Sequence, residues 1–280
     1  MKAPMILAVI LACSQLAGCA TSSTTKSGNV GVERQQFLSL VSEKEAEEQS
    51  TLAYQQTIKD AQAKKLLNTD SKETQRVRAI GQRLIAQVGV FRADALKWDW
   101  QINVQESKEV NAYCMAGGKI MVYTGLIDQI KPTDDELAAV MGHEISHALR
   151  EHVREQMSRA KVQQMGLLGA AALVGLSTKS GDNAVKTLAL GGAVATVALT
   201  LPNSRTAEHE ADEIGLELAA RAGYNPNAAV TLWQKMGALG GEKPPEFLST
   251  HPSDASRIAD IQRLVPKVMP LYEEATLKRK

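Results

Sequence analysis

Cysteine, histidine, net charge and long apolar runs are all scarce in this sequence, and each shortage narrows the reading. Only three of 280 residues are cysteine: Cys13, Cys19 and Cys114. A disulfide-stapled scaffold is therefore excluded. Lysine and arginine number 32 against 31 acidic residues, a formal net charge of +1. Binding a phosphate backbone needs a concentrated positive field, so this balance gives no support for a nucleic-acid partner. Three apolar stretches, 5–18, 165–176 and 187–201, each fall short of the ~18 residues expected of a membrane span. What remains is 44% hydrophobic and 22% charged, enough core material for one folded domain.

The start of the chain reads as a leader. Met1-Lys2 is followed by the short apolar run, by "LAGC" at Leu16 to Cys19, and at once by "ATSSTTKSGN". This resembles the lipobox of a bacterial lipoprotein, which implies a signal peptide over 1–19 and a lipidated Cys19. A plain secretory signal with a chance cysteine is the alternative. Ala20, rather than Asp, follows Cys19; by resemblance to Gram-negative lipoproteins this implies sorting to the outer membrane, facing the periplasm. With Cys13 removed and Cys19 lipidated, Cys114 has no intrachain partner. Stability then rests on packing, or on packing plus a metal.

Residues 20–32 are rich in Ser, Thr, Gly and Asn and read as a flexible tether. The folded domain is expected over 33–266, followed by a C-terminal tail over 267–280 whose basic end, Lys278 to Lys280, is frayed. Val77, Ile80, Leu84, Ile85 and Val88 have helical spacing, and the segment before them is polar and helix-favouring. The period changes to two at "WDWQINV", 98–104, and "NAYCMAGGKIMVYTGL", 111–126, reads as two strands turning at Gly117-Gly118. A small three-stranded sheet is the natural assembly. Pro132 and a capping box, Thr133 with Glu136, then open a helix expected to run to about Met157. The apolar stretches at 165–176 and 187–201 suggest a buried helical hairpin, or one dipping into a bilayer. Further helices are expected from Arg205 to Arg221, over 225–239, and briefly near 254–265. The fold class is α+β, mainly α-helical.

Three of the five histidines fall in "MGHEISHALREH", 141–152. Residues four apart on a helix are turned by about 400° and share one face. His143 and His147 can therefore aim at a single point, the bite a tetrahedral zinc requires. Glu144 projects about 100° further round, within reach of a water there without being a ligand. Leu137, Val140, Met141, Ile145 and Ala148 make the rest of this helix apolar, so three buried polar groups are costly unless a partner satisfies them. A third ligand is needed. In "SRTAEHEAD", 204–212, Glu208 and Asp212 are again four apart; Glu208 could ligate, and Asp212 could fix the tautomer of a zinc-bound histidine. In isolation this pair reads as a solvated acidic face. His209 and Glu210 point to other sides of that helix, and His152 is expected on the helix surface, unconnected to the site.

"HEISH", "SRTAEHEAD" and the preceding "NAYCMAGGKIMVYTGL" together resemble the zinc metallopeptidases that include the CAAX prenyl protease, HtpX, a mitochondrial inner-membrane protease and BepA. The resemblance covers about residues 70 to 265, and the missing transmembrane bundle sets the chain nearer the BepA-like periplasmic lipoproteins. It implies a zincin-like domain with the small sheet beside the HExxH helix. It also implies one zinc per chain on His143, His147 and Glu208, Glu144 as general base, and Asp212 behind a ligand. Zincin substrates add as an extended strand to the sheet edge, which places Asn111, Ala112 and Gly117 near the cleft; Gly117-Gly118 could equally be only a turn. His251, in "STHPS", resembles a histidine that can plug the zinc or stabilise an oxyanion, and could equally be an ordinary loop residue before Pro252. The implied function is zinc-dependent endopeptidase action on unfolded or misassembled polypeptides in envelope quality control. The alternative is a chaperone-like outer-membrane assembly factor with a structural or dormant zinc. A non-proteolytic zinc hydrolase is disfavoured, because an edge strand suits a polypeptide.

Overall fold

The helix that carries HExxH is buried along nearly its whole length, and the rest of the fold is arranged around it. The computed structural model describes residues 21–175, 203–239, 246–251 and 255–278. Two short strands, β1 (Thr21–Ser22) and β2 (Gln36–Phe37), pair antiparallel. Helices α1 (Glu43–Ala63) and α2 (Ser71–Ile85) follow, capped by Ser42 and Asp70. The stripe Val77, Ile80 and Leu84 of α2 enters the core. The signal peptide, Cys19 and the stretch 187–201 lie outside the described residues.

Strands β3 (Gln101–Gln105), β4 (Ala112–Met115) and β5 (Lys119–Tyr123) form the expected sheet. Its order is β3-β5-β4, with β3 parallel to the central β5 and β4 antiparallel to it. Gly117 and Gly118 have φ of 75° and 82°, the left-handed conformation that this turn requires and glycine supplies without strain. Because β5 is central, β4 is an edge strand, and it packs against the HExxH helix.

After α3 (Thr124–Ile130), the HExxH helix α4 spans Asp134–Leu149. Thr133 accepts from Glu136 N at 3.2 Å, and Glu136 accepts from Thr133 N at 2.8 Å, so the capping box forms as expected. The helix does not run to Met157. It ends at Leu149, Glu151 takes φ of 50°, and α5 (His152–Gly175) starts in a new direction. Glu151 is held in this left-handed conformation by ion pairs to Arg92 and Arg154, which the sequence pattern does not reveal.

Helices α6 (Arg205–Arg221), α7 (Ala228–Ala238), α8 (Glu246–Thr250) and α9 (Ala255–Leu277) complete the body. Helix α6 lies against α4 through two glycines. A Cβ on Gly142 would sit 2.8 Å from Gly215 O, and one on Gly215 would sit 2.7 Å from His143 N. Two missing side chains thus let the backbones approach closely enough for Glu208 to reach the histidines.

Two expectations about the ends of the chain are corrected. From Thr21 onward the supposed tether is part of the folded body: Val30 and Val32 join the core, and Thr24 donates to Leu149 O at 3.0 Å. Buried Glu217 also accepts from the backbone of Asn29 and Val30. The expected tail from 267 is not separate from the body: helix α9 runs through it to Leu277 despite Pro266 and Pro270. Each internal proline forfeits a helical hydrogen bond, and buried Val265 and Val268 offset that loss. No helix among the described residues is long and apolar enough to cross a membrane.

Candidate metal centre

One turn of α4 separates His143 from His147, and their Nε2 atoms lie 3.0 Å apart. Glu208, from α6, faces both: Oε2 is 3.4 Å from His143 Nε2, and Oε1 is 3.3 Å from His147 Nε2. His251 completes a group whose ligand atoms all lie within 4.8 Å of one another. Glu144 sits beside them, with Oε1 3.4 Å from His251 Nε2. These five residues are only 3–5% exposed.

Burial makes the donor set informative. Neither oxygen of Glu208 accepts a hydrogen bond, and Glu144 Oε1 also has no donor. Arg257 Nη1 is 3.0 Å from Glu208 Oε2, an ion pair without hydrogen-bond alignment. Leaving buried carboxylate oxygens unsatisfied is costly. A divalent cation between Glu208 and the two imidazoles removes that cost, and two nitrogens with one carboxylate are a fitting donor set for zinc.

The protonation states of Glu208, His147 and His251 suit a metal. Burial would raise the pKa of Glu208, but the two histidines override it and hold the carboxyl far below its usual range. Burial pushes His147 well down and His251 to about 4, which keeps both neutral, the form that ligates. His143 is opposed by burial yet raised to about 9 by Glu208 and Asp212. Asp212 Oδ1 lies 2.9 Å from its Nδ1 and can keep a proton there, leaving Nε2 for a metal. Burial lifts Glu144 to about 8, aided by the charges of Glu208 and Asp212.

Side chains from α4, from α6 and from the end of α8 thus meet at one point, with the edge strand β4 alongside. The model of peptidase family M48 matches residues 71–265. The chain belongs to peptidase family M48. Mitochondrial metalloendopeptidase OMA1 of Saccharomyces cerevisiae is 32% identical over 188 residues, 65% of this chain and 51% of that protein. OMA1 of Arabidopsis thaliana is 40% identical over 158 residues, 56% of this chain and 30% of the relative. The Beta-barrel assembly-enhancing protease of Escherichia coli K12 is 29% identical over 209 residues, 72% and 41% of the two chains. The M48 chain therefore spans about half, or less, of the length of these relatives.

The edge residues fall at the start and end of β4. Ala112 opens the strand, Asn111 precedes it, and Gly117 lines a small cavity with Trp98 and His147. Three participants escaped the sequence reading. Arg257 binds Asp212 through Nε and Nη2, at 2.6 and 2.8 Å, and stacks 3.6 Å over the Trp233 ring. A signal existed: Arg257 shares the stripe of Ile261 and Leu264, where an arginine is out of place. Phe247 stacks on His251 with centroids 4.4 Å apart. His152 is not on the surface; it is 3% exposed and touches His147.

Proposed function

We propose that this M48 chain is a zinc endopeptidase acting on unfolded or misassembled polypeptides in the bacterial envelope, lipid-anchored to the outer membrane through Cys19. The observation that carries the reading is Glu208, whose two buried oxygens lack donors while facing His143 and His147. Those three residues would hold the zinc. When bound, the metal supplies the positive charge that acidifies a water and polarises the scissile carbonyl. Glu144 accepts the water's proton and returns it to the leaving amine, a role suited to a carboxyl raised by burial. Asp212 orients His143, and Arg257 holds Asp212 in turn. Among the described residues no strand pairs with the outer edge of β4, the edge that would take an extended polypeptide. The lipobox resemblance and the name of the Escherichia coli relative support the envelope setting.

Glu144→Gln should lower cleavage of an unfolded protein such as casein by about 10²–10⁴-fold while leaving zinc content unchanged. Equal cleavage by wild type and variant would contradict the assignment of the base.

A second reading has one observation in its favour: the site is closed, with His251 beside Glu144 and Phe247 over it. A dormant centre in a chaperone-like assembly factor would look the same. Client holding by Glu144→Gln that chelation does not alter, with no cleavage by wild type, would support that alternative.

A further inference from the structure

The two ligand histidines of α4 are backed in different ways. His143 Nδ1 meets the Asp212 carboxylate directly. His147 Nδ1 instead meets another imidazole, His152 Nδ1, at 2.8 Å. His152 Nε2 lies 3.0 Å from Glu210 Oε2. Glu210 is in turn bound by Arg150 Nε at 3.1 Å and by Arg34, whose Nε is 2.5 Å and Nη2 3.1 Å from the carboxylate. His152 and Glu210 are 3% and 4% exposed.

Helix geometry explains why an intermediate imidazole is needed. Glu210 is two residues from Glu208, turned about 200° round α6, so its carboxylate cannot approach His147 itself. The left-handed Glu151 ends α4 and brings His152 back beside His147. Arg34 comes from the segment between β1 and β2, outside the 71–265 match to family M48.

We propose that His152 and Glu210 are positioning residues for His147, and that Arg34 makes the N-terminal segment part of the metal centre's support. This rests on the reading of His143, His147 and Glu208 as ligands. A metal on His147 Nε2 leaves its proton on Nδ1. His152 must then accept at Nδ1, carry its own proton on Nε2, and donate it to Glu210. Each partner fixes the tautomer of the one before it, and the arginines hold the Glu210 carboxylate in place. Loss of such outer partners typically weakens metal binding by about 10–100-fold.

Zinc affinity is measured on the full chain by competition with a chromophoric chelator, alongside the visible absorption of the cobalt-substituted protein. His152→Phe, which fills the space but cannot accept a hydrogen bond, should weaken zinc binding about 10-fold or more and shift the cobalt bands. His152→Gln, whose amide oxygen can accept, should recover part of both. Arg34→Met, which touches no ligand, should weaken zinc by a smaller factor. A folded His152→Phe with wild-type affinity and cobalt spectrum overturns the proposal. Should His152→Phe fail to fold, wild-type affinity in Arg34→Met overturns it instead. Failure of the wild type to bind zinc at all overturns the ligand reading itself, a distinct result.

Discussion

His251 is the residue whose role the geometry narrows most. Its Nε2 faces Glu144, and its ligand atom falls in the same cluster as those of His143, His147 and Glu208. Burial keeps it neutral, with a pKa of about 4, so it can serve as a fourth donor where a reacting water belongs. A plug in that position would hold the site at rest. His251→Ala should then raise the basal rate of casein cleavage several-fold. A fall of about 10²–10³-fold in turnover would instead mark it as an oxyanion donor. At this scale the sequence is legible wherever chemistry follows a helical repeat: His143 with His147, and Glu208 with Asp212. It is illegible where a contact depends on a chain reversal. His152 stands five residues after His147, and only the left-handed Glu151 brings the two rings together.

Among the elements, the contact of α4 with α6 decides whether a centre exists. Gly215 lies on the same stripe of α6 as Glu208 and Asp212, and Gly142 directly precedes His143. Gly215→Ala would place a Cβ 2.7 Å from His143 N, against backbone that cannot rotate away. Overpacking of this kind costs about 1–3 kcal/mol. The helices should separate, and the variant should show both a lower melting temperature and weaker zinc binding. An unchanged melting temperature and zinc affinity would show that the close approach is dispensable. The sheet and its hairpin were readable because a period of two appears at 98–104 and two short, largely apolar runs flank Gly117-Gly118. The second half of helix α9 was not, since Pro266 and Pro270 locally signal a break that only the burial of Val265 and Val268 overrides.

On the scale of the whole molecule, the N-terminal segment is tied to the body by charges as well as by Val30 and Val32. Burial alone would lift the Glu155 pKa, but Arg34 at 2.7 Å, with Arg159, overrides it and holds the carboxyl at about 2 against an ordinary 4.5. A pKa depressed in the folded state contributes stability that is complete above the unfolded value and is lost as pH falls towards the folded one. Glu155→Gln should therefore lower stability above pH 4.5 and flatten its decline between 4.5 and about 2, measured by denaturant unfolding across that range. An unchanged pH profile would show that the Arg34 cluster does not stabilise the fold. The polar composition of 20–32 concealed how the chain just before Arg34 packs, because its partners lie far away, Leu149 on α4 and Glu217 on α6.

The proposed centre is one divalent cation held by His143, His147 and Glu208, whose ligand atoms cluster with that of His251. The most direct test is the metal content of the purified chain, followed through chelation and reconstitution with zinc while casein cleavage is monitored. The account predicts one zinc per chain, loss of metal and cleavage together, and recovery of both when zinc is restored. A chain that binds no zinc when offered it, or that cleaves equally well after chelation, would contradict it.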